Sequence, residues 1–277
     1  MNRNQTIAIV GVGLIGGSIG LAAQECGLAA RVIGIGRRRT SLQRAKRCGT
    51  VTETTTNLRK GVSQADFVVI CTPIDQIVEF VREVLKYAPE STVVTDAGST
   101  KGPIVMRLSD AKQFVGSHPL AGSEKTGAHH ARSDLFHNRS VIVTPSRGAL
   151  QPHISRVEQF WSRLGAQTFR MTAARHDKIL AQTSHMPHLL ASALAAATPS
   201  QSLAFTATGW QDTTRIAGGD VELWVQILKD NRRHILNSMD NFGKVLASFR
   251  QALEKGDQAA LRRLLKTGKD NRDAVGN

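Results

Sequence analysis

At 277 residues and 41% apolar content, the chain is long enough for one large or two medium domains around an ordinary packed core. It holds no apolar run of the roughly 18 residues a membrane helix needs, and its first residues lack a secretory pattern, so a cytoplasmic protein with no membrane attachment is expected. The net charge of +14 suits a basic solvated surface or an anionic ligand; with 5% aromatics, no aromatic–basic interleaving and no zinc-finger spacing, nucleic acid is the weaker partner and a phosphate-rich cofactor with a dianionic substrate the better one.

Residues 6–10 are a short apolar run ending in glycine, which predicts a buried strand, and a helix is expected over 14–25, stopped by Gly27. Residues 31–35 predict a second strand and 67–71 another, ended by Thr72 and Pro73. Segments 91–95, 114–115 and 141–143 follow, with helix-length stretches such as 74–87 between strands. Strand and helix alternate, so the first part of the chain is expected to be an α/β, Rossmann-type, doubly wound parallel sheet. After Met171 no β-branched run remains and helical spacing dominates over 173–197, 221–251 and 258–266, with the last ten residues frayed. The expected organisation is a dinucleotide-binding domain over 1–171 and an all-α domain over 172–277. Cys26, Cys48 and Cys71 are scattered without metal-ligand spacing, so neither a metal nor a disulfide framework is expected.

Gly11-Val-Gly13-Leu14-Ile15-Gly16 follows the first strand and opens the first helix, the context a dinucleotide fingerprint requires. Gly11 permits the tight turn, Gly13 close approach of a pyrophosphate, and Gly16 close helix–strand packing. The free N–H groups of the helix start, at Leu14 and Ile15, face the phosphates. Thr72 and Pro73, closing the strand over 67–71, are counted with this set. After the second strand an acid would bind the ribose hydroxyls of NAD; here Gly36-Arg37-Arg38-Arg39-Thr40-Ser41 stands instead. Guanidinium forks match phosphate oxygens, so NADP is the expected cofactor, with Arg37, Arg38 and Thr40 at its 2′-phosphate.

His118, in Gly116-Ser-His118-Pro-Leu-Ala-Gly122-Ser-Glu124-Lys125, is expected just after a strand at the carboxyl edge of the sheet, where an imidazole can take a hydroxyl proton as hydride departs. Ser99, in Asp96-Ala-Gly-Ser99-Thr-Lys101, is placed to hydrogen-bond His118 or the substrate hydroxyl; Asp96 and Lys101 read equally as site groups or as cap and surface charge. Ser184-His185-Met-Pro187-His188 sets a proline inside a helical pattern, where it kinks the helix and turns polar groups toward a cleft or leaves a core histidine. Arg215 can clamp a carboxylate or pair with Asp212 or Asp220.

Taken together, these motifs resemble those of the prephenate/arogenate dehydrogenases of tyrosine biosynthesis: the glycine segment 11–18, Asp96–Lys101, Gly116–Lys125, Ser184–His188, and Asp212-Thr-Thr-Arg215-Ile-Ala217. The resemblance implies oxidative decarboxylation, with His118 acting on the C4 hydroxyl of a cyclohexadienol, Ser99 supporting it and Arg215 on the substrate carboxylate. It further implies His188, and less directly His185, facing the substrate, Glu124 near the entrance, and Trp224 where some members reach into a neighbouring subunit's site. It implies a homodimer formed by the helical domains, and a single-activity form. Arginines in place of the acid that many NAD-using members carry support NADP. Prephenate and arogenate both stay open: the Glu124–Lys125 segment leans to the first, NADP and the compact chain to the second. Two rivals are a β-hydroxyacid or 6-phosphogluconate-type dehydrogenase using Lys178, and a non-catalytic NADP-responsive or nucleic-acid-binding protein.

Overall fold

The computed structural model describes residues 5–122 and 125–276. In chain order it contains β1 (Gln5–Val10), α1 (Leu14–Glu25), β2 (Ala29–Ile35), α2 (Arg39–Arg47), β3 (Glu53–Thr55), α3 (Leu58–Val62), β4 (Phe67–Ile70), α4 (Ile74–Tyr87), β5 (Val93–Asp96), α5 (Gly102–Arg107), β6 (Phe114–Pro119), β7 (Ser140–Pro145), α6 (Gln151–Arg163) and β8 (Gln167–Arg170). Helices follow: α7 (Ala173–Leu180), α8 (Met186–Ala197), α9 (Thr208–Thr214), α10 (Val221–Asp230), α11 (Arg232–Glu254) and α12 (Gln258–Asp273).

The strands form one sheet in the order β3-β2-β1-β4-β5-β6-β7-β8. The first six run parallel, as the alternation of elements requires, while β7 returns antiparallel to β6 and β8 runs with β7. The turn-back is possible because, among the described residues between β6 and β7, there is no crossover helix, only a single 3-10 turn at Ala128–His130. Residues 7–10 of β1 and the whole of β4 are apolar and buried on both faces, the signature of a sheet covered by helices on each side. One face packs against α1 and α6 through Ile19, Ala23, Phe160 and Trp161. The other packs against α4 and α5 through Ile77, Val81 and Ile104, and Ile227 of α10 joins it.

β3 and β8 escape sequence reading because they are short edge strands with polar, mostly exposed residues. Two long helical patterns are interrupted. Over 173–197, Pro187 lacks the N–H that would continue the ladder, and the preceding residues Ala181–His185 widen into a π-helical turn. Over 221–251, Asn231 leaves the helix at φ −103° and ψ 19°, separating α10 from α11, because its side chain is bonded elsewhere. The C-terminal residues expected to fray are helical as far as Asp273.

The chain divides into two compact units, one ending at Asn231 and one beginning at Arg232. The helices α7 to α10 therefore fold with the sheet, α7 touching α5 and β7, and α10 touching α4. The second unit is the pair α11 and α12, and Leu236, Met239, Phe242 and Leu246 lie exposed at helical spacing on α11. Among the described residues, no helix is long and apolar enough to cross a membrane.

Candidate active site

The β1–α1 turn lies where the strand order reverses direction, flanked by the carboxyl ends of β2 and β4: Gly11 N donates to Ile35 O at 2.9 Å and Cys71 N to Val10 O at 2.7 Å. Gly11 has a φ of 93°, and a side chain there would stand 2.6 Å from the Cys71 carbonyl oxygen. A Cβ on Gly16 would meet the Gly11 carbonyl at 2.2 Å, whereas nothing lies within 4 Å of one at Gly13. The turn is thus closed beneath and open above, and α1 begins with no side-chain cap and no acid in its first turn. The first-turn N–H groups of α1 at Leu14 and Ile15, which have no intrahelical acceptor, and the Thr72 hydroxyl beside Pro73, buried with no partner among the described residues, fit a dinucleotide's pyrophosphate. Arg37, Arg38 and Thr40 are exposed at the start of α2, and the sequence from 36 to 52 holds no acid.

His118 lies inside β6 rather than after it, one residue from the strand's carboxyl end, and is buried. Its Nδ1 faces His176 Nε2 at 2.9 Å, and His176 Nδ1 faces Asp177 Oδ1 at 2.7 Å. Asp177 Oδ1 also accepts from Lys101 N at 2.9 Å, and Oδ2 from Gly102 N at 2.7 Å, where α5 begins. These contacts set the protons. A carboxylate holding two backbone donors can only accept, so His176 Nδ1 carries hydrogen. Neutral His176 then offers a lone pair at Nε2, His118 Nδ1 donates to it, and His118 is left with a lone pair on Nε2. Burial first, then His176, Lys101 and His185, hold the His118 imidazole well below its ordinary range, so it rests neutral. Burial lowers His176 too, against the pull of Asp177. Burial opposes the charge of Asp177, but the His176 bond and the two backbone donors prevail and hold its carboxyl below the ordinary value.

Beneath His118 lies a second polar layer. Lys101 and Asp96 are fully buried and form an ion pair, Lys101 Nζ donates to Ser117 O at 2.8 Å, and Ser117 N donates to Asp96 Oδ1 at 3.1 Å. Ser117 Oγ donates to Asp96 O at 2.6 Å and accepts from Trp161 Nε1 at 2.9 Å. Asp96 and Lys101 are therefore neither surface charge nor a simple cap: they clamp β5 to β6 on either side of the site. Ser99 is half-buried in the loop after β5, and the Nδ1 hydrogen bond of His118 goes to His176, not to Ser99.

The π-helical turn places His185 and His188 on the same side as this network. His188 stacks on Trp224 with ring centroids 3.5 Å apart, and His185 stands edge-on to Trp224 at 6.1 Å. Trp224 thus lies against its own chain's histidines. His185 Nε2 and His188 Nδ1 are buried with no partner among the described residues. Arg215 is exposed in a 3-10 turn (Arg215–Gly218) that packs on α8, the helix carrying His188. Glu124 lies outside the described residues. Lys178, the rival base, is exposed, because α7 turns His176 and Asp177 inward and the next residue outward. The His176-Asp177 pair just before that lysine is absent from the candidates drawn from sequence; an acid next to a histidine near the start of the first helix after the sheet is the available signal.

Residues 19–170 match the family profile described as prephenate dehydrogenase, nucleotide-binding domain, and residues 172–267 match prephenate dehydrogenase, dimerization domain. The chain belongs to the prephenate dehydrogenase family. A prephenate dehydrogenase of Bacillus subtilis is 33% identical over 99% of this chain and 77% of its own length. A cyclohexadienyl dehydrogenase of Zymomonas mobilis is 28% identical over 91% and 89%. Among solved structures, prephenate dehydrogenase from A. aeolicus in complex with hydroxyphenyl propionate and NAD+ superposes with a TM-score of 0.91 at 28% identity, covering 98% of both chains. Synechocystis arogenate dehydrogenase superposes at 0.83 with 26% identity, covering 98% of this chain and 99% of its own. This prephenate dehydrogenase family member is an oxidoreductase of the prephenate/arogenate dehydrogenase class and uses a nicotinamide dinucleotide.

Proposed function

We propose that the chain catalyses oxidative decarboxylation of prephenate to 4-hydroxyphenylpyruvate and CO2 with NADP as hydride acceptor, acting in the cytoplasm as a homodimer. Arogenate, giving tyrosine, is the second reading, favoured by the likeness to the Synechocystis arogenate dehydrogenase. The observation that carries the reaction is the buried line His118–His176–Asp177, which leaves an acceptor nitrogen on a neutral imidazole at the carboxyl end of β6. The bound dinucleotide supplies an acceptor for the hydride leaving C4.

His118 Nε2 accepts the hydrogen bond of the C4 hydroxyl and takes its proton as C4 becomes a carbonyl. A base this weak is adequate, because the hydroxyl turns strongly acidic as hydride leaves. The imidazolium charge is shared through His176 with Asp177, as in an orienting triad. The ring carboxylate departs as CO2, its bonding electrons aromatise the ring, and His118 returns the proton to the phenolate oxygen. Ser99 assists at the hydroxyl, Arg215 binds a substrate carboxylate, and His185, His188 and Trp224 line the substrate side, with Glu124 at the entrance. Gly11, Gly13, Leu14, Ile15, Gly16, Thr72 and Pro73 hold the pyrophosphate side of the cofactor, and Arg37, Arg38 and Thr40 its 2′-phosphate.

The division at Met171 into 1–171 and 172–277 is supported by the two family profiles meeting there. Dimerisation is supported by the dimerization-domain match and by the exposed apolar stripe on α11. Purified protein mixed with NADP or NAD, and with prephenate or arogenate, decides substrate and cofactor together from reduced-nicotinamide absorbance. Silence in all four mixtures, with cofactor binding shown separately, refutes the reaction. Arg37→Ala with Arg38→Ala should raise the KM for NADP by about 10- to 100-fold, the loss of one charged hydrogen bond or more, and leave that for NAD unchanged.

A further inference from the structure

Asn231, the residue that ends α10, is bonded to two groups by one nitrogen. Its Nδ2 donates to the Asp177 backbone carbonyl at 2.7 Å and lies 3.0 Å from His185 Nδ1. The carbonyl can only accept, so the amide is oriented with its nitrogen on that side. Its second hydrogen then points at His185 Nδ1, which must be the bare nitrogen of the ring. The hydrogen of His185 sits on Nε2, and that nitrogen is buried with no protein partner among the described residues. Asn231 itself is buried, so water does not compete for its amide.

We propose that Asn231 is a positioning residue that fixes His185 as a neutral Nε2–H donor, aimed at an acceptor oxygen, carboxylate or carbonyl, of the bound cyclohexadienol. This rests on the reaction proposed above and assigns His185 its polarity within it. The site then presents two imidazoles of opposite sense: His118 with a lone pair, set from Asp177 through His176, and His185 with a hydrogen, set by Asn231. Both settings converge on Asp177, whose side chain anchors the first and whose main-chain carbonyl anchors the second. Two bases of the same sense would compete for the C4 proton; a fixed donor beside the base grips a substrate oxygen without taking that proton. A buried donor with no partner is costly in the empty site, and the cost is relieved when an acceptor oxygen arrives.

The test begins with the resting protein. In 15N-histidine-labelled protein, with the His185 signals assigned by their loss in His185→Gln, the ring should show a bare Nδ1 and a protonated Nε2 near neutral pH, and Asn231→Ala should give a tautomer mixture. A protonated Nδ1 or an imidazolium in the unaltered protein overturns the proposal, whatever the enzyme turns over. In kinetics, Asn231→Ala should raise the substrate KM by about three- to tenfold, the loss of one neutral hydrogen bond, and change kcat little. His185→Gln supplies its own side-chain N–H in place of Nε2–H, so adding Asn231→Ala to it should have no further effect on KM. Additive effects of the two changes would show that Asn231 acts through packing alone, and would also overturn the proposal. Failure of the reaction itself is distinguishable, because the tautomer is read without substrate.

Discussion

Replacing Asp177 by asparagine is the sharpest probe of the histidine line. The side chain keeps its shape, but one oxygen becomes an amide nitrogen. Oδ1 holds both Lys101 N and His176 Nδ1, and Oδ2 holds Gly102 N. If the nitrogen takes the place of Oδ2, it faces the Gly102 N–H and the histidine protons stay as they are. If it takes the place of Oδ1, it faces the Lys101 N–H but donates to His176, which reverses both rings and turns a hydrogen of His118 toward the substrate. Either orientation sets two donors against each other and loses one backbone hydrogen bond, about 1–3 kcal/mol, so neither is strongly preferred and both are populated. In both, the carboxylate that stabilises the imidazolium is gone. We expect kcat to fall about 10²- to 10⁴-fold, or about 3–5 kcal/mol of barrier, the range for losing a correctly set general base. KM should change little, because Asp177 is buried behind His176 and reaches His118 only through it. Steady-state turnover with saturating dinucleotide reads both, beside a thermal melt. A kcat within about threefold of the parent with a lowered melting temperature would reduce Asp177 to a cap on α5 and refute the line as a catalytic device.

Three further outcomes follow from the same geometry. Burial holds His185 at about 4 rather than 6.5, and lowers His118 and His176 as well, so the unfolded chain binds more protons than the folded one between those values. Stability should be full above about pH 6.5 and lost as pH falls toward 4, with His185 alone contributing about 3 kcal/mol; a melting temperature flat across that window would contradict the buried, neutral assignment. Lys101→Met strands the buried Asp96 charge and should cost about 3–5 kcal/mol in denaturant unfolding, with part recovered when Asp96→Asn is added; no loss would mean the pair is not buried in solution. Lys178→Ala should leave most turnover intact, and a dead variant that still binds dinucleotide would revive the lysine-based rival.

Much of the nucleotide-binding half was legible because its signals are local. Short β-branched apolar runs bounded by turn residues, such as Phe67–Ile70 before Thr72 and Pro73, read as buried strands in a covered sheet, and helices α1 and α4 match their expected limits of 14–25 and 74–87. The glycine turn was equally legible, since a φ of 93° at Gly11 and a contact that excludes any side chain at Gly16 are demands that only glycine meets. Edge strands β3 and β8 were illegible because nothing buries their polar residues, and the break at Asn231 was illegible because helical periodicity does not register where an amide finds its partner.

By itself, then, the sequence determined the nucleotide-binding fold, the glycine turn between its first strand and helix, and His118 as the candidate base, because each depends on residues adjacent in the chain. Only the tertiary structure decided what His118 can do. Its partner, His176, lies 58 residues downstream, Asp177 is held by backbone donors 75 and 76 residues upstream, and Asn231 reaches His185 across 46. The physical reason is that a proton's place on an imidazole is set by whichever group meets the other ring nitrogen, and that group is brought there by packing across elements, not by proximity in sequence.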